Sequence, residues 1–167
     1  MSLNKEAFLR YMEEHKGIIY KICRSYCQDK DAREDLAQEI MYHLWKSFHS
    51  YKADFTFSTW MYRIALNVAI SFYRKERKFS EHTAIPEELI IMDNQDESAE
   101  REDNITLLEQ FIMELGEIER SIMLLYLDDK SHKEISAITG ISETNVATKI
   151  NRIKIKLRTS FALQQNN

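Results

Sequence analysis

The sequence predicts an all-α fold: two small helical domains, residues 1–80 and 105–167, joined by a flexible acidic linker over residues 81–104. Three observations carry this. The 167 residues include only three glycines and one proline, far fewer turn-formers than a β-rich fold needs. Apolar residues recur at helical spacing through both ends of the chain, and no stretch shows the alternation of a strand. Charge is segregated: residues 1–80 hold 14 Lys/Arg against 10 Asp/Glu, residues 81–104 hold 1 against 9, and residues 105–167 hold 8 of each. The net −4 therefore hides a mildly basic block, a strongly acidic stretch and a balanced block. A chain of this length has room for one ordinary domain or two small ones.

Several classes are disfavoured at once. No apolar run approaches the ~20 residues of a membrane span. The opening MSLNKEAFLRYMEEH is amphipathic and acidic, unlike a signal peptide, so the expected location is the cytoplasm. Cys23 and Cys27 stand four apart in a helical stretch; nothing nearby completes a metal-ligand set, and two reduced, half-buried thiols are expected. The five histidines are scattered, and no nucleophile, metal or phosphate-loop motif is present. No enzyme, cofactor, metal or small-molecule substrate is expected.

The elements follow in order. A first helix runs from about Asn4 to Cys27 and is broken by Gln28-Asp29-Lys30-Asp31. A second runs from about Ala32 to Phe48, with Leu36, Ala37, Ile40, Met41, Leu44, Trp45 and Phe48 inward and Asp35, Gln38, Glu39, Tyr42 and Lys46 opposite. His49 to Phe57 loses the period and forms a loop. Ser58 or Thr59 then caps a third helix reaching about Lys78. Its inward face is Trp60, Met61, Ile64, Ala65, Val68 and Phe72. Arg63, Asn67, Arg74 and Lys78 line up on the other side, with Lys75 and Arg77 close by. Such a row supplies phosphate contacts, and an asparagine within it can read a base edge. Phe55, Phe57, Trp60 and Tyr62 are side chains able to stabilise unstacked bases, although Phe57 and Trp60 suit a core equally well. The linker carries Pro86, nine acids and no sustained period. That composition is disfavoured for packing, with room for a short helix near its end. From Ile105 the pattern resumes: Leu107, Leu108, Phe111, Ile112 and Leu115 share a face, and Glu117 to Leu127 forms the next helix.

The last segment, Ser131 to Arg158, reads as a helix-turn-helix. Ser131 and Glu134 form a capping-box pair. Ile135 and Ile138 face inward, Gly140 supplies the left-handed residue that ends the helix, and Ile141 plugs the corner. Ser142 caps a second helix whose Val146, Ile150, Ile153 and Leu157 fall in a narrow arc. The opposite arc holds Thr144, Asn145, Thr148, Lys149, Asn151, Arg152 and Lys156. It is polar, positive and free of acids, as a helix in the major groove requires.

With these residues in place, a family resemblance emerges. The runs Asp35-Leu36-Ala37-Gln38-Glu39-Ile40-Met41, Phe57-Ser58-Thr59-Trp60-Met61-Tyr62-Arg63-Ile64-Ala65-Leu66-Asn67 and Arg74-Lys75-Glu76-Arg77-Lys78 resemble region 2 of the bacterial extracytoplasmic-function (ECF) sigma factors. Leu107 to Leu157 is similar to their region 4, a winged-helix-like helix-turn-helix. The resemblance implies a non-enzymatic factor that joins core RNA polymerase, directs it to promoters and helps melt them. It implies polymerase contacts at Asp35, Gln38, Glu39 and Tyr42. The melted −10 element would fall to Phe57, Trp60, Tyr62, Arg63, Asn67, Arg74, Lys75, Arg77 and Lys78, together with the loop Ser50 to Phe57. The duplex −35 element would fall to Ser142, Thr144, Asn145, Thr148, Lys149, Asn151, Arg152 and Lys156. It further implies an anti-sigma partner, action on DNA as a monomer, and no cofactor. The 24-residue linker reaches at most about 80 Å, enough for one chain to hold both elements, and its acids suit the basic channels of polymerase.

The chain departs from the family pattern in places. Ser71 replaces a common aspartate. Thr144-Asn145-Val146-Ala147-Thr148 stands where Gly-Thr-Val-Lys-Ser is typical, so Ala147 removes a positive charge and Asn145 adds a side chain able to bond adenine. Asp128-Asp129-Lys130 lacks the usual glycine. The alternative is a polymerase-independent helix-turn-helix regulator, which would have no use for the Asp35-Gln38-Glu39 face.

Overall fold

The computed structural model describes residues 2–82 and 101–166; most of the predicted linker lies outside the described residues. The described residues form seven α-helices and a single 3₁₀ turn, with no strand among them. They are α1 (Ser2–Tyr26), α2 (Lys30–Ser47), α3 (Phe57–His82), α4 (Arg101–Glu114), α5 (Glu117–Leu127), α6 (His132–Thr139) and α7 (Glu143–Gln165), with the 3₁₀ turn at Phe48–Ser50. No described helix is long and apolar enough to cross a membrane.

Helices α1, α2 and α3 pack mutually as a three-helix unit. Helix α2 starts two residues earlier than its periodicity suggests, because Asp29 caps it by accepting from the Ala32 amide. Its core stripe is narrower than expected: Leu36, Ile40 and Leu44 are wholly buried, while Met41 and Trp45 are exposed. Trp45 lies at the margin of the unit, where it meets Phe8 edge-on. Helix α3 also begins early. Thr56 accepts from the Thr59 amide, so the cap is Thr56 rather than Ser58 or Thr59.

The buried surface of α3 is wider than a single amphipathic face. Met61 and Ala65 are buried as expected, and so are Tyr62, Leu66 and Ala69 on the adjoining arc. The first arc serves α1 and α2; α5 and α6 also pack on α3. The two predicted domains are thus docked together.

The second unit holds α4 to α7. Phe111, Ile112 and Leu115 of α4, the Arg120–Leu125 run of α5, Ile135 and Ile138 of α6, and Val146, Ile150 and Ile153 of α7 are its buried residues. Helix α5 ends in a Schellman motif: the Lys130 amide donates to Leu125 O and the Asp129 amide to Tyr126 O. Asp129 is the left-handed residue, at φ 57°. It fills the role for which the family uses glycine, and aspartate is among the few residues that tolerate this conformation.

Candidate nucleic-acid interface

The helix-turn-helix takes the predicted form. Ser131 accepts from the Glu134 amide, and Glu134 in turn accepts from the Ser131 amide, completing the capping box. Gly140 sits at φ 77°, where a Cβ would be strained. Ser142 accepts from the Asn145 amide and so caps α7, while its exposed O–H keeps its own donor. Thr144, Asn145, Thr148, Asn151 and Arg152 are exposed on one side of α7, and Lys149 is half-buried there. The Thr148 hydroxyl donates back to Thr144 O. Lys156 is exposed as well, and its ammonium pairs with Glu119 of α5 at 3.3 Å. The C-terminal half of α7 lies over α4 and α5, where Ile155, Lys156 and Thr159 line an open cleft with Phe111 and Leu115.

On α3, Arg63, Asn67, Arg74, Lys75, Arg77 and Lys78 are all exposed, as their spacing predicts. The aromatics divide. Phe57 is core: it stacks on Tyr11 with ring centres 4.4 Å apart, and only 5% of it is exposed. Trp60 is half-buried in the same cluster, against Phe57 and Tyr51. Tyr62 is 1% exposed and donates to the Asp128 carboxylate at 2.7 Å. Burial, and then that bond, push its phenol far above the usual tyrosine range. The Phe57 and Tyr62 rings are thus enclosed in this conformation, while Trp60 keeps part of its surface exposed. Phe55, in the loop before α3, is the exposed aromatic of the group, and Tyr51 donates to its carbonyl oxygen.

Asp35, Gln38 and Tyr42 of α2 are exposed and Glu39 is half-buried. No hydrogen bond or ion pair within the described residues engages Asp35, Gln38 or Glu39. The exposed Met41 and Trp45 adjoin Gln38 and Tyr42 by helical angle, so this polar face has an apolar flank that periodicity alone had assigned to the core.

The contact between the two units escaped the sequence altogether. Arg120 of α5 is 1% exposed. It donates to Ser25 O of α1, and to Met113 O and Leu115 O at the end of α4. Its guanidinium lies 5.1 Å from the Tyr26 ring centre and 4.8 Å from that of Tyr73. Tyr26 donates to Glu117 O, Arg74 pairs with Glu117 at 2.8 Å, and Lys130 donates to Ser58 at 2.9 Å. Asp128 receives both Tyr62 and Lys21. Partial burial opposes its charge, yet the bonds from Tyr62 and Lys21 hold its carboxyl below the ordinary value. The hydrogen bond from Arg74 does the same for Glu117. Cys23 and Cys27 are buried more deeply than expected, and burial pushes their thiols up to about 11 and about 12.

One helical unit thus bears an exposed basic row on α3, and the second bears a capped helix-turn-helix. Residues 11–79 match the family Sigma-70 region 2, and residues 105–157 match Sigma-70, region 4. The ECF RNA polymerase sigma factor SigW of Bacillus subtilis is 30% identical, over 93% of this chain and 89% of its own length. SigM of the same organism, also an ECF RNA polymerase sigma factor, is 28% identical over 93% of each. Among solved structures, CnrH in complex with the cytosolic domain of CnrY superposes with a TM-score of 0.69 at 19% identity, covering 95% of this chain and 90% of that one. RpoE of Bartonella quintana, solved with the anti-sigma factor NepR, superposes with a TM-score of 0.66 at 18% identity, covering 97% and 98%. The chain belongs to the ECF family of RNA polymerase sigma factors.

Proposed function

We propose that this sigma factor divides its work among three helices. The α2 face of Asp35, Gln38, Glu39 and Tyr42, with Met41 and Trp45 beside it, binds core RNA polymerase. The exposed α3 row, with Phe55 in the loop before it, engages the non-template strand at the −10 element. Arg63, Arg74, Lys75, Arg77 and Lys78 neutralise phosphates there, while Asn67 and Phe55 meet an unstacked base, whose extrusion costs a few kcal/mol. The N-terminal half of α7 reads the −35 duplex in the major groove, with Asn145 suited to adenine. Residues 1–80 and 105–167 are the two working domains, and residues 81–104 span the distance between the elements. The chain acts in the cytoplasm, as a monomer on DNA, without catalysis or cofactor of its own. NepR, the anti-sigma factor bound to the Bartonella relative, supports a cognate anti-sigma partner for this chain.

The observation that carries the reading is the α2 face: carboxylate and amide groups held outward without an internal partner, on a helix that a plain DNA-binding regulator would not need. Capture of core polymerase by the purified chain tests it. The wild type is expected to retain polymerase, and Gln38→Ala with Glu39→Ala to lose most of it while keeping its helical content. Equal retention by the double variant would contradict the assignment of this face.

A further inference from the structure

We infer that Tyr51 is a positioning residue for strand opening: its hydroxyl holds the loop before α3 in the form that presents Phe55 to an unstacked base. The inference rests on the assignment of Phe55 and α3 to the −10 strand. The loop runs from Tyr51, just past the 3₁₀ turn, to Thr56, and both of its ends are fixed. At the start, the Tyr51 amide donates to Phe48 O. At the close, the Thr56 hydroxyl donates to that of Thr59 and accepts from the Thr59 amide, while the Trp60 amide donates to Thr56 O. Between these anchors Lys52, Ala53, Asp54 and Phe55 are all exposed. Among the described residues one hydrogen bond reaches this span, from the Tyr51 phenol to Phe55 O at 3.1 Å. A backbone stretch without apolar burial or paired groups samples many conformations, and a bond from a fixed group narrows that freedom at the residue it holds.

The ring and the hydroxyl of Tyr51 have separate roles. The half-buried ring lies 5.3 Å from the Trp60 ring, 5.4 Å from that of Phe57 and 6.3 Å from that of Tyr11. A phenylalanine would make the same contacts, and Phe48 and Phe57 stand in the same cluster. The hydroxyl is therefore surplus to packing, and its partner is the carbonyl of Phe55. Because three rings grip the phenol, its oxygen is a fixed point rather than the end of a mobile side chain. Burial, and then Tyr11 beside it, push the phenol above the usual tyrosine range, so it remains a donor at neutral pH. Phe55 itself is 54% exposed. A lone exposed apolar ring says little by itself. Tied through its own carbonyl to a ring fixed in the core, Phe55 is instead held in one place, at the N-terminal end of the helix that carries the basic row. Stacking favours this arrangement, since an aromatic face already in position loses less freedom when the base arrives.

Holoenzyme assembled from core polymerase and the full chain tests this, on templates that the wild type selects from a random promoter library. Tyr51→Phe removes the hydroxyl and keeps the ring. It is expected to lower the permanganate reactivity of unpaired thymines in the downstream element about fivefold, the loss of one net hydrogen bond, with polymerase retention and helical content unchanged. Phe55→Ala is expected to lower it by at least about fivefold, as for one stacked base, and the double variant no further than Phe55→Ala alone. An abasic site at the captured position is expected to abolish the difference between wild type and Tyr51→Phe, because no base remains to be held. A hydroxyl with a purely structural role would leave that difference in place. Wild-type reactivity in Tyr51→Phe, or a difference that survives abasic substitution at every position of the element, would overturn the inference. A loss in Tyr51→Phe with none in Phe55→Ala would instead overturn the assignment of Phe55 to the base, leaving the bracing of the loop by Tyr51 standing.

Discussion

Helices α3 and α7 are both long and amphipathic, and both carry a basic face, yet the structure treats them differently. The polar face of α7 is finished within its own unit: caps at both ends of the turn, a glycine at the left-handed position, and exposed Thr144, Asn145, Thr148 and Arg152. The polar side of α3 is shared. Its outer row is exposed, while Tyr62 on the neighbouring arc and Arg74 are bonded to the other unit. A basic row read from sequence is therefore a sufficient guide to an exposed face when the helix has one buried side, and an incomplete guide when it has two.

The largest effect expected from breaking this contrast is on α7 alone. Ile150→Ala opens a cavity under α7, a change that typically costs about 2–5 kcal/mol. Duplex binding is expected to fall sharply in a mobility-shift assay while polymerase capture through α2 persists. Next is Asn145→Ala, expected to cost about 1–3 kcal/mol at one base position and to relax preference there, as read by binding to a set of single-base −35 variants. On the α3 side, pH separates the shared face from the finished one. Asp128 and Glu117 have lowered folded-state pKa values, so their contribution is present above the unfolded carboxylate range and lost as pH falls through the lowered values. Scattering is expected to show the two units separating below about pH 4 before either unit loses its helical signal. The smallest effect is at the corner between them. Asp129→Gly relieves a left-handed aspartate and is expected to stabilise by up to about 1 kcal/mol in thermal unfolding, whereas Asp129→Val should destabilise.

The sequence made the helices legible, together with the motif that ends the chain, because both rest on local signals. Ser131, Glu134, Gly140 and Ser142 act within a few residues of themselves, and the structure keeps each in its expected role. What periodicity missed was non-local. Tyr62, Leu66 and Ala69 interleave with Arg63 and Asn67 along α3, so a second buried arc looks like part of a solvated face. Arg120 gave no signal as a buried residue, since a charge is seldom buried unless paired. Met41 and Trp45 satisfy an inward helical angle, yet both remain exposed, Trp45 meeting Phe8 at the margin of the unit. The candidate site was correspondingly uneven. The exposed cations of α3 and the first half of α7 stand where their spacing placed them, while Phe57 and Tyr62 belong to packing and Lys156 to an ion pair with α5.

The central claim is that one chain grips two promoter elements with two different helices. Templates recovered by run-off transcription from a random library, using core polymerase with the wild type, with Asn67→Ala and with Asn145→Ala, test it directly. Two separated elements are expected in the wild-type set, the downstream one altered only by Asn67→Ala and the upstream one only by Asn145→Ala. Recovery of a single element, or a shift of the same element by both variants, would contradict the claim.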